Sequence, residues 1–170
     1  GATTLNDAND LAVTLTTSGA TALAAGGDLT LDGAVNGTTS DLTTTAVATT
    51  FGATTVGQNL SVTASGTVRD TAKLAVTGTT AISATGQTVE LDTATNDFTG
   101  AVTVICGATA LIESNDLAVT LTISGATALA AGRDLTLDGA VNGTTSDLTT
   151  TAVATSFGAT TVGQNLSCPL

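Results

Sequence analysis

The sequence contains no histidine, tryptophan, tyrosine or methionine, only one proline, and three phenylalanines as its only aromatic residues. Each gap removes a class of function. Without histidine there is no imidazole to serve as a base near neutral pH, and no His-containing zinc site. Without Tyr or Trp there is no aromatic girdle of the kind membrane barrels place at their interfaces. Cations are scarce as well: Arg69, Lys73 and Arg133 are the whole supply against 14 Asp and Glu, for a formal charge of −11. Nucleic acid is therefore not an expected partner, because phosphate binding needs clustered Lys and Arg. Membrane insertion is not expected either. The most apolar stretch, residues 101–112, contains Thr and Gly and falls short of the roughly 20 apolar residues a span needs. No charged segment leading into an apolar core opens the chain at Gly1, so any export signal is expected to lie outside it.

What is present is a chain of Thr, Ala, Gly, Leu and Val, with 41 Thr among 170 residues. Scarce aromatics are a mark of disorder, but a mean hydropathy of +0.40 and ordered alternation of apolar residues argue for a folded chain. Self-comparison is the most informative operation. Residues 1–62 match residues 107–168 at an offset of 106, with eight differences: Thr4/Ala110, Asn6/Ile112, Asp7/Glu113, Ala8/Ser114, Thr17/Ile123, Gly27/Arg133, Thr50/Ser156 and Val62/Cys168. The chain reads as one segment, with 1–106 a long repeat and 107–168 a partial second copy. A shorter module recurs inside it, as GATTLNDANDLAVTL from Gly1, GATALAAGGDLTLDG from Gly19 and GATTVGQNLSVTAS from Gly52. Dividing 106 into five or six coils gives about 21 or 18 residues per coil, as solenoids have.

Each module alternates with period 2. Leu11, Val13 and Leu15, then Leu29 and Leu31, Leu60 and Val62, Leu74 and Val76, and Val89 and Leu91 are separated by Thr, Ser, Ala or Glu. Such alternation places the Leu/Val set on one core and the rest outside. Thr, Val and Gly are poor helix formers, and no 3.6-residue stripe appears. The expected fold is all-β: a parallel β-helix (β-solenoid) of about eight short coils, near 40 Å long at ~4.8 Å per coil. Phe51, Phe98 and Phe157 are expected to fill corners of the coil, and Asn9, Asn59, Asn115 and Asn165 to be turn amides bonding backbone.

No catalytic, cofactor-binding or metal-ligating residue is assigned. Asp28 and Asp32, copied as Asp134 and Asp138, have the composition of a glycosidase carboxylate pair. They are duplicated with the module, however, and no cation accompanies Asp28 and Asp32, so a solvated acidic corner is expected. The stretch Gly26–Asp32 resembles a calcium nonapeptide but lacks its internal Gly-x-Asp step, and Arg133 replaces the second Gly in the copy. Diffuse cation screening is expected in its place. Cys106 and Cys168 lie about three coils apart, ~14 Å at ~4.8 Å per coil, too far for an intrachain disulfide. Cys168 stands at a Val62 position expected to point inward. Thr14, Thr30, Ser61, Thr77 and Thr103 form a candidate outward column, of the sort that orders water on ice-binding solenoids, interrupted by Ala75, Glu90 and Asp92.

GGDLTLDGAVNG, GATTVGQNLSVTASGTV, KLAVTGTTAISATGQTVELDTATNDFTGAVTV and their copies resemble the repeats of filamentous-haemagglutinin-like and large autotransporter adhesins of Gram-negative bacteria. That resemblance covers essentially the whole chain. It implies a right-handed parallel β-helix exported across the outer membrane and displayed as a rod that serves adhesion or biofilm. The ending Ser167-Cys168-Pro169-Leu170 departs from the repeat, which would continue Ser-Val-Thr-Ala. Function is expected to be structural and not enzymatic: an extracellular or cell-surface shaft without cofactor, associating end to end with its own copies. A carbohydrate- or surface-binding module, with host glycan or ice as the surface, is the alternative.

Overall fold

Alternating Leu/Val and Thr/Ser, broken every few residues by Gly, Asn or Asp, produces short strands joined by tight corners. The computed structural model describes residues 1–169 apart from Thr39 and Thr145, and no helix occurs among the described residues. The strands are β1 (Thr3–Asp7), β2 (Leu11–Thr17), β3 (Thr21–Ala25), β4 (Leu29–Val35), β5 (Leu42–Ala46) and β6 (Thr49–Val56). They continue with β7 (Leu60–Ala64), β8 (Val68–Asp70), β9 (Leu74–Val76), β10 (Thr80–Leu91), β11 (Asp97–Phe98) and β12 (Val102–Glu113). The last are β13 (Leu117–Ile123), β14 (Thr127–Ala131), β15 (Asp134–Val141), β16 (Leu148–Thr151), β17 (Ala154–Val162) and β18 (Leu166–Ser167). All their pairings are parallel. Successive coils stack into a β-solenoid of about eight turns, as the repeat predicts.

Two columns of strands run along the axis. The first stacks β1, β3, β5, β7, the start of β10, the start of β12, β13, β15 and β17. The second stacks β2, β4 and β6, then β8 and β9, the end of β10 and β11, the end of β12, β14, β16 and β18. Inward positions carry Leu, Val and Ile in continuous stacks, and the alternation expected in each named strand is observed. The alternating runs named from the sequence are three to five residues long, yet β10 and β12 run for 12. In β10 the chain turns the coil corner at Gly86, whose φ of 74° bends the backbone without ending the pairing on either side. Gly33 plays the same part in β4 with φ 107°, and a Cβ there would lie 2.1 Å from the Leu15 carbonyl oxygen in the coil before it.

The long repeat does not close on a whole number of coils. Counting up the first column from Thr3 gives Thr21, Leu42, Leu60, Thr80 and Val102, five coils. The copy of Thr3 is Thr109, a further part-turn along, and it stacks in the second column on Val89 and beneath Thr127. The copy of β2, β13, stands correspondingly in the first column, on β12. The second copy is therefore rotated about the axis relative to the first. Short strands and long strands exchange columns between the copies.

Phe51 and Phe98 are buried, as expected of corner fillers, and Phe51 immediately precedes the bend at Gly52. Phe157, the copy of Phe51, is 40 % exposed against 0 % because no coil lies above it. Inward Thr is a departure from the expected pattern. Thr44, Thr49 and Thr80 are buried and, among the described residues, their hydroxyls have no hydrogen-bond partner, whereas Thr54 and Thr109 donate to the Leu31 and Val89 carbonyls at 3.3 and 3.0 Å. The repeat thus holds a paired control for burial. Phe51→Ala is expected to lower the unfolding free energy by about 3–5 kcal/mol. Phe157→Ala is expected to change it by under about 1 kcal/mol in dilute monomer, as read from guanidinium midpoints followed by circular dichroism.

Candidate functional site

The carboxylates stand at corners, and corner geometry decides what they do. A strand that begins a new coil leaves its first amide pointing along the axis, and a short acidic side chain one coil away can accept from it. Asp10 accepts the amide of Asp28 at 2.9 Å, and Asp28 in turn accepts that of Ala48 at 3.2 Å. Asp32 accepts the Ala53 amide at 3.0 Å across the bend. Its copy Asp138 accepts that of Ala159 at 2.9 Å, and the Asp134 amide donates to Asp116 at 3.2 Å. Asp28 and Asp32 thus bind backbone at two separate corners and do not converge on a common point. The Gly26–Asp32 stretch spends both of its carboxylates in this way. Among the described residues no three Asp, Glu, Cys or His side chains are grouped to hold a metal ion. Gly52 leaves room for the Asp32 carboxylate, since a Cβ there would lie 1.8 Å from Oδ1 and displace it.

The Asn residues divide. Asn59 behaves as expected: its Nδ2 donates to Asp41 at 3.0 Å and its Oδ1 accepts the Thr79 amide at 2.9 Å, linking three coils. Asn165 bonds a side chain and not backbone, its Nδ2 donating to the Asp147 carboxylate at 2.9 Å. Asn9 and Asn115 depart from the expectation: their backbone N–H groups donate to the Asp7 and Glu113 carboxylates at 2.9 and 3.0 Å, and the Asn115 Nδ2 donates to Ser114 Oγ at 3.3 Å. The fully buried amide is Asn96, which the sequence reading did not single out. Its Oδ1 accepts the Leu74 amide at 2.8 Å, and its Nδ2 donates to the buried Asp70 carboxylate and to the Leu91 carbonyl. Thr93 completes the group by donating to Asp70 at 2.9 Å. This network pins the irregular turn at residues 92–96 to the coil below, a structural task.

Glu113 was also missed, though the repeat marks it. Four of the eight differences between the copies fall at residues 110–114, where the second copy meets the coil before it. The extra methylene of Glu113 relative to Asp7 lets Oε2 reach the Phe98 amide at 2.6 Å, while Ser114 donates to the Asn96 carbonyl at 2.7 Å. Burial pushes the Glu113 carboxyl above its ordinary 4.5, against the amides of Phe98 and Asn115, and the nearby Asp97 adds to the rise.

Cys106 is buried in the first column and Cys168 is exposed at the last coil in the second, so they lie in different columns three layers apart, and both are free thiols. Cys168 does turn toward the core, accepting from the buried Thr150 hydroxyl at 3.2 Å, but it is not covered as Val62 is. Burial pushes the Cys106 thiol up to about 12, with hydrogen bonds to the Val89 backbone and Thr109 pulling the other way.

The expected outward Thr column is not one column. Thr14 stacks beside Asp32, Thr30 beside Ala12 and Thr50, and Ser61 beside Thr43 and Ala81. Register, which corner lengths set, separates Thr14 and Thr30 from each other and from Ser61, whereas Ser61 and Thr103 share a rank through Ala81, and Thr77 lies just past the end of β9. The outer face of the first column carries instead paired ranks: Thr43 and Thr45, Ser61 and Thr63, Ala81 and Ser83, Thr103 and Ile105, Thr120 and Thr122. A shallow trough of about 120 Å³ runs between Ser61, Ala81, Ser83 and Ile105 on that face.

Residues 39–105 match a family described as repeats of unknown function (DUF5649). No curated protein and no solved structure matches the chain. The family match is that of a repeat and agrees with the coil organisation; it carries no activity.

Two measurements follow from these buried groups. In native protein Cys168 is expected to react with a thiol reagent and Cys106 to be protected, giving one equivalent before denaturation and two after. Because the folded pKa of Glu113 is raised above its unfolded value, its contribution to stability is fully present below pH 4.5 and is lost as pH rises through the folded pKa. Glu113→Gln is expected to flatten that part of the decline in denaturation midpoint above pH 4.5.

Proposed function

We propose that this chain is a structural shaft, a rigid β-solenoid segment of an extracellular or cell-surface fibre of the filamentous-haemagglutinin-like adhesin type. The observation that carries the reading is the unbroken parallel ladder in both columns, over about eight coils, with acidic side chains of both copies occupied by backbone amides. A rod built this way resists bending because each coil is hydrogen-bonded to the next along the axis. Few Lys and Arg leave few sites for trypsin-like proteases, which suits a protein standing outside cells. It works without a cofactor and performs no catalysis. Its partner is its own kind: the inward residues of the first and last coils are uncovered, and uncovered strand edges are templates for pairing. The −11 charge opposes crowding of rods at low ionic strength and is screened by salt.

A second reading, a module that binds a flat glycan or ice surface, draws on the paired ranks of Thr43 and Thr45, Ser61 and Thr63, and Thr120 and Thr122. Two interruptions, at Ala81 and Ile105, weigh against it.

Electron microscopy and light scattering over a concentration series are expected to show rods that lengthen with concentration, and more so at 0.5 M salt than at low salt, an ionic strength of about that order shortening the screening length to a few ångströms. A monodisperse 16.3 kDa species at all concentrations, without fibres, would overturn the self-association.

A further inference from the structure

We propose that Asn36 and Asn142, at the same corner of the two copies, are sites of self-modification, each closing on the backbone nitrogen of the glycine after it and opening with water to an isoaspartyl or aspartyl residue. The Gly37 nitrogen, losing its proton to solvent, bonds to the side-chain carbonyl carbon of Asn36, and ammonia leaves. Water then opens the imide ring. Opening at the backbone carbonyl carries the chain through the side-chain carbon, as isoaspartate, and opening at the other carbonyl gives aspartate. The balance is ammonia out and water in, with no oxidant, reductant or enzyme.

The structure sets these two apart from the other Asn residues. Of the eight in the chain, only Asn36 and Asn142 precede Gly, which puts no side chain beside the attacking nitrogen. Asn6, Asn9, Asn96 and Asn115 precede Asp, and Asn59 and Asn165 precede Leu. Asn36 and Asn142 are exposed, and among the described residues neither side chain is hydrogen-bonded. Elsewhere the reacting group is held: the Nδ2 of Asn59 by Asp41, of Asn165 by Asp147, of Asn115 by Ser114, and of buried Asn96 by Asp70 and Leu91. The Asn9 carbonyl is fixed by the Gly27 amide, and Asn6 lies inside β1.

Hydrogen bonds hold the corner on both sides of the reacting peptide and leave that peptide loose. The Asn36 amide donates to the Thr17 carbonyl at 2.9 Å, the Gly57 amide to the Val35 carbonyl at 2.7 Å, and the Ser40 amide to the Gly37 carbonyl at 3.0 Å. In the second copy the same three bonds, to Ile123, Val141 and Gly143, measure 2.9, 2.7 and 3.1 Å. Between them, the carbonyl of Asn36 and the amide of Gly37 have no backbone partner among the described residues, nor do those of Asn142 and Gly143. Gly57 and Gly163 stand over these peptides in the next coil, so no side chain covers them; a Cβ at either would lie 3.1 Å from the Asn carbonyl carbon. Packing also dictates the glycine itself. A Cβ at Gly37 would collide with the Ser18 carbonyl of the coil before and with the buried Ser40 hydroxyl, and one at Gly143 with their copies Ser124 and Ser146. The corner therefore cannot take the larger residue that would slow ring closure. Because Asn36 lies beyond the end of β4, and Asn142 beyond β15, the product forms outside the ladder. Each copy gains one exposed carboxylate, and an array of copies gains charge along its length as it ages.

The test is to hold the full chain folded in mildly alkaline buffer and follow it by peptide mass, ammonia release and labelling with isoaspartyl methyltransferase. The peptides containing Asn36 and Asn142 are each expected to gain the mass by which a carboxyl exceeds a carboxamide, with isoaspartate in excess over aspartate. Peptides containing Asn59 and Asn165 are expected to stay unchanged, and so is the circular dichroism of the whole chain. Asn36→Gln with Asn142→Gln is expected to abolish both labelling and ammonia release; if that variant is not folded, Asn36→Ser with Asn142→Ser serves with the same expectation. The guanidinium-unfolded chain gives the reference rate, which the folded chain is expected to match within a few-fold. Conversion in the unfolded chain and none in the folded one overturns the proposal, because the corner then holds the peptide after all. Aspartate without isoaspartate overturns the ring, and equal conversion at Asn59 or Asn9 overturns the selectivity. Conversion in one copy alone overturns the assignment to a corner that both copies share.

Discussion

Parallel pairing between successive coils, at a spacing of about 4.8 Å, is the constraint from which the rest of this structure follows. Within the stacked strands between the two end coils, a side chain has in-register neighbours that close above and below, and whatever cannot tolerate such a neighbour is excluded or engaged. Leu and Val tolerate it and form the continuous inner stacks. A carboxylate tolerates it when the next coil offers an amide, as Ala48 offers Asp28 and Ala53 offers Asp32. Where the side chain of Asp32 needs room, Gly52 provides it. The composition, so poor in large and reactive groups, is the composition this spacing permits.

The alternation of Leu11, Val13 and Leu15 with Ala12, Thr14 and Thr16 was enough to orient β2, because Leu and Thr differ strongly in their preference for the core. Inward Thr44 and Thr49 could not be read in the same way, since Thr suits either face of a strand. Register was the larger gap. Thr14 and Thr30 share an outward direction but not a rank, because the ranks depend on residues per corner, and corners vary from coil to coil. Coil number within the long repeat had the same difficulty: periodicity placed it at five or six, and the pairings place it in between. Asn96 and Asp70 looked like ordinary turn residues, and their burial follows from one irregular turn folding inward. Glu113 left a signal in the clustering of differences at residues 110–114, which a comparison of the two copies could have turned into a prediction of a junction.

Proposed shaft and observed fold meet in the treatment of polar groups. In this rod, carboxylates at the corners are occupied by amides, the buried thiol is held protonated, and the buried Asn96 side-chain amide ties down a turn. Chemistry is directed along the axis, into cohesion. The ends are the exception among the described residues, since there the inward positions of the coil are open.

The part-turn by which the 106-residue repeat overshoots five coils has a bearing on how such rods would lie side by side. In an array of these repeats, any patch that recurs with the repeat climbs around the rod like the tread of a spiral stair, one step every 25 Å or so at ~4.8 Å per coil. Two rods in lateral contact would then match like patches only at intervals and never along a continuous seam. Bundling would be discouraged without any added charge, and growth confined to length.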